Sequence, residues 1–130
     1  MRRIALGCLL AVAAVACGGG SDGGVTPTGA ARSGQEIFEE RILGSNAGCI
    51  TCHSLDADTT LVGPSIAGVA SRAANRVAGV SADEYLRKSI TAPAAFVVDG
   101  FDDGKMPTDW AEVLTAAEID ALVAYLLTLG

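Results

Sequence analysis

Cys49-Ile50-Thr51-Cys52-His53 is the stretch of this 130-residue chain on which the rest of the reading turns. Two thiols two residues apart, followed at once by an imidazole, form the attachment signature of c-type haem. The spacing has a physical basis. Two intervening residues let both sulfurs reach vinyl groups on neighbouring pyrroles, and the next residue turns its imidazole toward the metal. Rival uses of the motif meet obstacles elsewhere in the chain. A zinc site needs four ligands, and His53 is the only histidine, with Cys8 and Cys17 as the remaining cysteines. A thioredoxin-type dithiol belongs at the start of a helix in a βαβ unit, and no stretch alternates like a strand over a useful length. A disulfide across a two-residue gap would add little stability.

Outward from the motif, helix signals flank it on both sides. Ser33-Gly34-Gln35-Glu36 has the capping-box pattern S-x-x-E, so a first helix is expected from Ser33. Gly34, Phe38 and Ile42 share one stripe with Ile37 beside it, and Gly44 ends the run. Ser81-Ala82-Asp83-Glu84 opens a second helix through Tyr85, Leu86, Ser89 and Ile90 that should stop before Pro93. Thr115-Ala116-Ala117-Glu118 opens a third, where Ile119, Leu122, Val123 and Leu126 fall at i, i+3, i+4, i+7, with Tyr125 and Leu129 widening the face. Gly63-Pro64 suggests a short helix over about 65–71. The expectation is an all-α domain over residues 33–130: three main helices, a short one, and long connections at about 44–64 and 92–114. So little helix makes a thin core. A covalently held haem would fill it.

The first 16 residues do not belong to that domain. Arg2 and Arg3 precede an apolar run of 13 residues, Ile4 to Ala16, which fits a secretory signal and is too short to span a bilayer. It ends Ala14-Val15-Ala16-Cys17, followed by Gly18-Gly19-Gly20-Ser21. That arrangement resembles a bacterial lipoprotein signal with Cys17 as the acylated new N-terminus. Cleavage at the A-x-A site, leaving Cys17 a free thiol, is the alternative. Residues 17–32 read as a flexible tether; about 15 such residues have an r.m.s. span of roughly 20 Å. Cys8 leaves with the signal. Removing residues 1–16 leaves seven Lys/Arg against 15 Asp/Glu, so −6 becomes −8. An acidic chain of this kind is unsuited to gripping nucleic acid through a basic face.

The sixth iron ligand follows by elimination. With one histidine, bis-histidine ligation within the chain is excluded. Met1 is lost with the signal, so Met106 is the sole remaining methionine, in the polar turn Gly104-Lys105-Met106-Pro107. A gap-filling core methionine suits apolar flanks better. A thioether donor favours ferrous iron and raises the potential relative to bis-histidine ligation.

Taken in order, Gly34 and Phe38, Cys49-x-x-Cys52-His53, Gly63-Pro64, Met106-Pro107 and Tyr125 resemble the class I monohaem cytochrome c family over about residues 33–129. The resemblance implies that the first and last helices cross at Gly34 and Tyr125. It further implies that the Pro64 carbonyl accepts the His53 Nδ1–H, fixing the ring. Among relatives, the stretches from Tyr85 to Ile90, Lys105 to Pro107 and Glu118 to Leu126 look most like two groups. These are the cytochrome c domain of haem-copper oxidase subunit II and the monohaem lipoprotein subunits of alternative complex III. The implied function is one-electron transfer by a membrane-tethered carrier at the outer face of the cytoplasmic membrane, as shuttle or as fixed subunit of a respiratory or photosynthetic complex. His53 and Met106 would stay on the iron throughout, leaving no open position for a small-molecule substrate. A haem enzyme or gas sensor would require Met106 to leave. The acidic surface suits a partner whose docking face is basic or neutral. Arg72 either pairs with a haem propionate or is simply solvated. Trp110 either covers the haem edge with its N–H on a propionate or is ordinary core. Asp99, Asp102 and Asp103 lack calcium-loop spacing and read as a solvated acidic turn.

Overall fold

Glycine 34 is where the two terminal helices meet. The computed structural model describes residues 29–130. The expected signal segment, Cys17 and the tether up to residue 28 lie outside the described residues. Helix α1 (Ala30–Glu39) packs against α6 (Ala116–Leu126). A Cβ on Gly34 would run into the Ala121 carbonyl and come within 2.8 Å of the Tyr125 Cβ, so only a bare backbone permits this crossing. Phe38, one turn on, lies with its ring centroid 5.7 Å from that of Tyr125, tilted by 53°. The crossing expected at Gly34 and Tyr125 is therefore present.

Between these helices the chain runs through β1 (Ile42–Leu43), β2 (Asn46–Ala47), α2 (Cys49–Cys52), α3 (Val69–Ala73), α4 (Ala82–Thr91), a 3₁₀ turn (Pro93–Ala95) and α5 (Trp110–Val113). The two capping boxes nearer the C-terminus behave as their spacing dictates. The Ser81 hydroxyl accepts from the Glu84 N–H to start α4, which stops before Pro93. Thr115 and Glu118 cap each other reciprocally to start α6. Arg87 ties the two helices together, its guanidinium 2.7 Å from the Asp120 carboxylate. The core is assembled from Phe38, Leu86, Ile90, Trp110, Leu114 and the apolar face of α6.

Three expectations need correction. The first helix does not start at Ser33 but at Ala30, with Gly29 as its N-cap and Ser33 already inside, its N–H on the Gly29 carbonyl. Nor does it reach Ile42, which sits on β1 and is 72% exposed. Instead Gly44, at φ 61°, makes a two-residue turn with Ser45, pairing Ile42 with Ala47 and Leu43 with Asn46 in a small antiparallel hairpin. Finally, the short helix after Gly63-Pro64 begins at Val69 rather than near residue 65, because the Ser65 and Ala67 carbonyls take hydrogen bonds from the Arg72 guanidinium. No helix among the described residues is long and apolar enough to cross a membrane.

Candidate functional site

Helix α2 is one turn long and carries the Cys49-x-x-Cys52 pair. Its start at Gly48 requires a glycine: a Cβ there would collide with the Glu40 carbonyl, against which the hairpin folds back. The Gly48 N–H reaches the Arg41 carbonyl at 2.8 Å, closing the hairpin directly before the motif. Both cysteines are half-buried, and no disulfide joins them. Burial pushes the Cys49 thiol up to about 11, with the neighbouring Cys52 a smaller contribution in the same direction.

His53 follows α2 with extended backbone. Its Nδ1 lies 2.8 Å from the Pro64 carbonyl oxygen. A carbonyl only accepts, so Nδ1 is the protonated nitrogen and Nε2 keeps its lone pair. Burial holds the imidazole below its ordinary pKa, offset in part by the Pro64 carbonyl. A neutral ring with a free Nε2 is the form a metal needs. Gly63 makes the contact possible: a Cβ there would lie 2.5 Å from Cε1 and 2.9 Å from Nδ1 of His53. The loop is held from both ends. The Gly63 N–H donates to the Cys52 carbonyl at 2.9 Å, and the Ile66 N–H to the Ser54 carbonyl at 2.8 Å.

Cys49, Cys52, His53, Pro64, Arg72, Met106 and Trp110 all line one cleft that opens to solvent. Its walls are mainly apolar, with Phe38, Leu86, Ile90, Leu122 and Leu126 contributing. Arg76 and Lys105 also line it, available to the carboxylate edge of a porphyrin. The donor set is a thiol pair, a lone-pair nitrogen and a soft thioether, and it matches covalent haem with nitrogen and sulfur ligands. The residues present therefore fit the group.

Arg72 is exposed, as one of its two readings expected, but its guanidinium is hydrogen-bonded. It reaches back to the Ser65 and Ala67 carbonyls and braces the loop that carries Pro64. Trp110 is 3% exposed, joins the core and lines the cleft, and its indole N–H has no partner among the described residues. Asp99, Asp102 and Asp103 are exposed, and no group of three metal-binding side chains occurs among the described residues. The sequence reading missed the apolar wall between α4 and Met106, where Phe96, Val97, Val98 and Phe101 line the cleft. Four large apolar residues inside a connection were the available signal.

A family model described as cytochrome c matches residues 31–130. No curated protein matches the chain. The family binds haem c covalently through Cys-x-x-Cys and works by haem-based electron transfer, as a carrier rather than an enzyme. With the match running from the first turn of α1 to the end of the chain, and with Cys49, Cys52 and His53 lining one apolar cleft, the chain belongs to the cytochrome c family.

Proposed function

We propose that this chain is a membrane-tethered one-electron carrier whose haem, bonded through Cys49 and Cys52, is ligated by His53 and Met106. The observation that carries the reading is the convergence of His53, fixed by Pro64, and Met106 on the wall of one cleft. The bound haem supplies a ferrous/ferric couple. The chain's own part is to hold still and to keep water away. The Pro64 carbonyl fixes the imidazole plane and makes Nε2 a better donor. Gly63 lets the ring seat itself, and Arg72 anchors the loop behind it. Leu86, Ile90, Trp110, Leu122 and Leu126 keep the interior dry. With His53 and Met106 both holding the iron, a bound haem would offer no open position to a substrate.

Lipid on Cys17 would hold the domain at the outer face of the cytoplasmic membrane, beside a respiratory or photosynthetic complex with a basic or neutral docking face. Partners like those of subunit II cytochrome c domains or of alternative complex III fit that arrangement. Arg72 stands beside the cleft, where its remaining donors are available to a propionate.

The ferric holoprotein is expected to show the far-red methionine-to-iron charge-transfer band, and its ferrous form to resist CO at neutral pH. Met106→Ala should abolish the band and admit CO. A wild-type protein without the band that binds CO readily would instead be a haem enzyme or gas sensor. Cys17→Ser should release the protein from the membrane fraction; normal amounts remaining there would refute the lipid anchor. Recovery with oxidase or quinol-oxidising subunits in mild detergent marks a fixed subunit, and recovery alone marks a shuttle.

A further inference from the structure

The hairpin ahead of the haem motif touches the helix behind the methionine loop at two points. The Asn46 side-chain amide, on β2, donates from Nδ2 to the Asp109 carboxylate Oδ1 at 2.7 Å, across 63 residues of sequence and partly shielded from solvent. Two residues away, the Gly44 turn rests on α5: a Cβ on Gly44 would lie 3.0 Å from Val113 Cγ1. Asn46 precedes Cys49 by three residues, and Asp109 follows Met106 by three. Asp109 also starts α5, its carbonyl accepting from the Glu112 and Val113 N–H groups. Among the described residues, no other hydrogen bond joins the 42–53 segment to the 104–114 segment.

The consequence concerns the weaker of the two ligands. His53 is fixed from its own side by Pro64, Gly63 and the covalent motif. Met106 has no such support: Lys105 is exposed and Pro107 half-buried, both in irregular backbone, and neither is held by a hydrogen bond among the described residues. A neutral thioether is a poor competitor for iron, so its occupancy depends on how firmly the backbone presents it. We propose that the Asn46–Asp109 hydrogen bond is the contact that positions the Met106 loop, holding it at a fixed distance from the segment that carries Cys49 and His53. This rests on Met106 being the iron ligand. Asn46 and Asp109 do not line the cleft, so they are positioning residues.

The pair can be read out through competition for the sixth coordination position. An external ligand binds with an apparent affinity set by the fraction of molecules whose methionine is off the iron. A hydrogen bond partly shielded from solvent is costly to leave unmade. Even partial transmission of that cost to the loop changes the fraction about tenfold, since every 1.4 kcal/mol is a factor of ten. Imidazole is titrated into the ferric holoprotein at neutral pH, following the far-red band. Asn46→Ala is expected to bind imidazole about tenfold more tightly than wild type, and Asn46→Asp more tightly still, because two carboxylates then face each other. Asp109→Asn keeps an acceptor oxygen and should stay near wild type. Combining Asn46→Asp with Asp109→Asn restores the bond with donor and acceptor exchanged and should return imidazole affinity to near the wild-type value. If unfolding midpoints fall while imidazole affinity stays constant across the series, the pair is structural only and the proposal is wrong. If the wild type lacks the far-red band, the failure lies with Met106 ligation instead.

Discussion

Gly63 sets the position of the histidine by what it lacks. The His53 ring rests on its backbone, and a methyl group there would press on three ring atoms at 2.5–3.1 Å. The ring cannot retreat freely, because the chain on either side is fixed: Gly63 to Cys52, and Ile66 to Ser54. Gly63→Ala must therefore tilt the imidazole away from the Pro64 carbonyl and lengthen a 2.8 Å hydrogen bond. Overpacking of this kind costs about 1–3 kcal/mol. A weakened hydrogen bond also makes the imidazole a poorer donor to ferric iron, so the reduction potential should rise. Denaturant melts of the holoprotein together with a redox titration check both effects. An unchanged potential would mean that the ring finds another orientation with its hydrogen bond intact. This residue's importance was only half legible in the sequence. Gly63-Pro64 stood out as a pair, but that the glycine packs on the imidazole depends on a loop closing over ten residues. No local pattern encodes that.

At the scale of elements, legibility follows length and the presence of a side-chain cap. Helices α4 and α6 begin where Ser81 and Thr115 predict, because each hydroxyl satisfies an N–H that would otherwise be orphaned. The same pattern at Ser33 misleads, because Ser33 lies one turn inside α1 with its N–H already on the Gly29 carbonyl. Helices α2 and α5, four residues each, and the two-residue strands are shorter than any periodicity can reveal. They exist because α1, α6 and the loop around Pro64 hold their ends. The α6 cap gives a prediction at this scale. Hydrogen bonds from the Thr115 backbone N–H, and then from its hydroxyl, hold the Glu118 carboxyl below the usual glutamate range. A carboxyl depressed in the folded state stabilises above its unfolded pKa and loses that contribution as pH falls through its folded value. Wild type and Glu118→Gln should therefore differ in urea midpoint at pH 7 and converge toward pH 3. Thr115→Ala, which loses the hydroxyl cap, should cost about 1 kcal/mol at pH 7. If Glu118→Gln tracks wild type at every pH, the carboxylate contributes nothing as a cap.

For the whole molecule, charge decides what approaches the haem edge. Residues 29–130 carry seven Lys/Arg against fourteen Asp/Glu, a net −7 before any haem propionates are counted. A −7 sphere repels anions and attracts cations beyond contact range, over a Debye length of about 30 Å at 10 mM salt and about 8 Å at 150 mM. The cleft is mixed, however: Arg76 and Lys105 line it alongside Asp102 and Asp103. Global and local fields therefore make different predictions. If the global field governs encounter, the reduced holoprotein reacts faster with a tripositive cobalt–phenanthroline oxidant than its driving force alone would give. That rate should fall several-fold between 10 and 150 mM salt, while the rate with ferricyanide rises over the same range. If Arg76 and Lys105 govern it, both salt slopes reverse sign. We expect the first pattern, because carboxylates outnumber cations two to one over residues 29–130, whereas Arg72, Arg76 and Lys105 at the cleft are nearly balanced by Asp102 and Asp103. Stopped-flow rates with the two oxidants across that salt range decide between them. They also fix the sign of charge on the surface that a protein partner must present to this one.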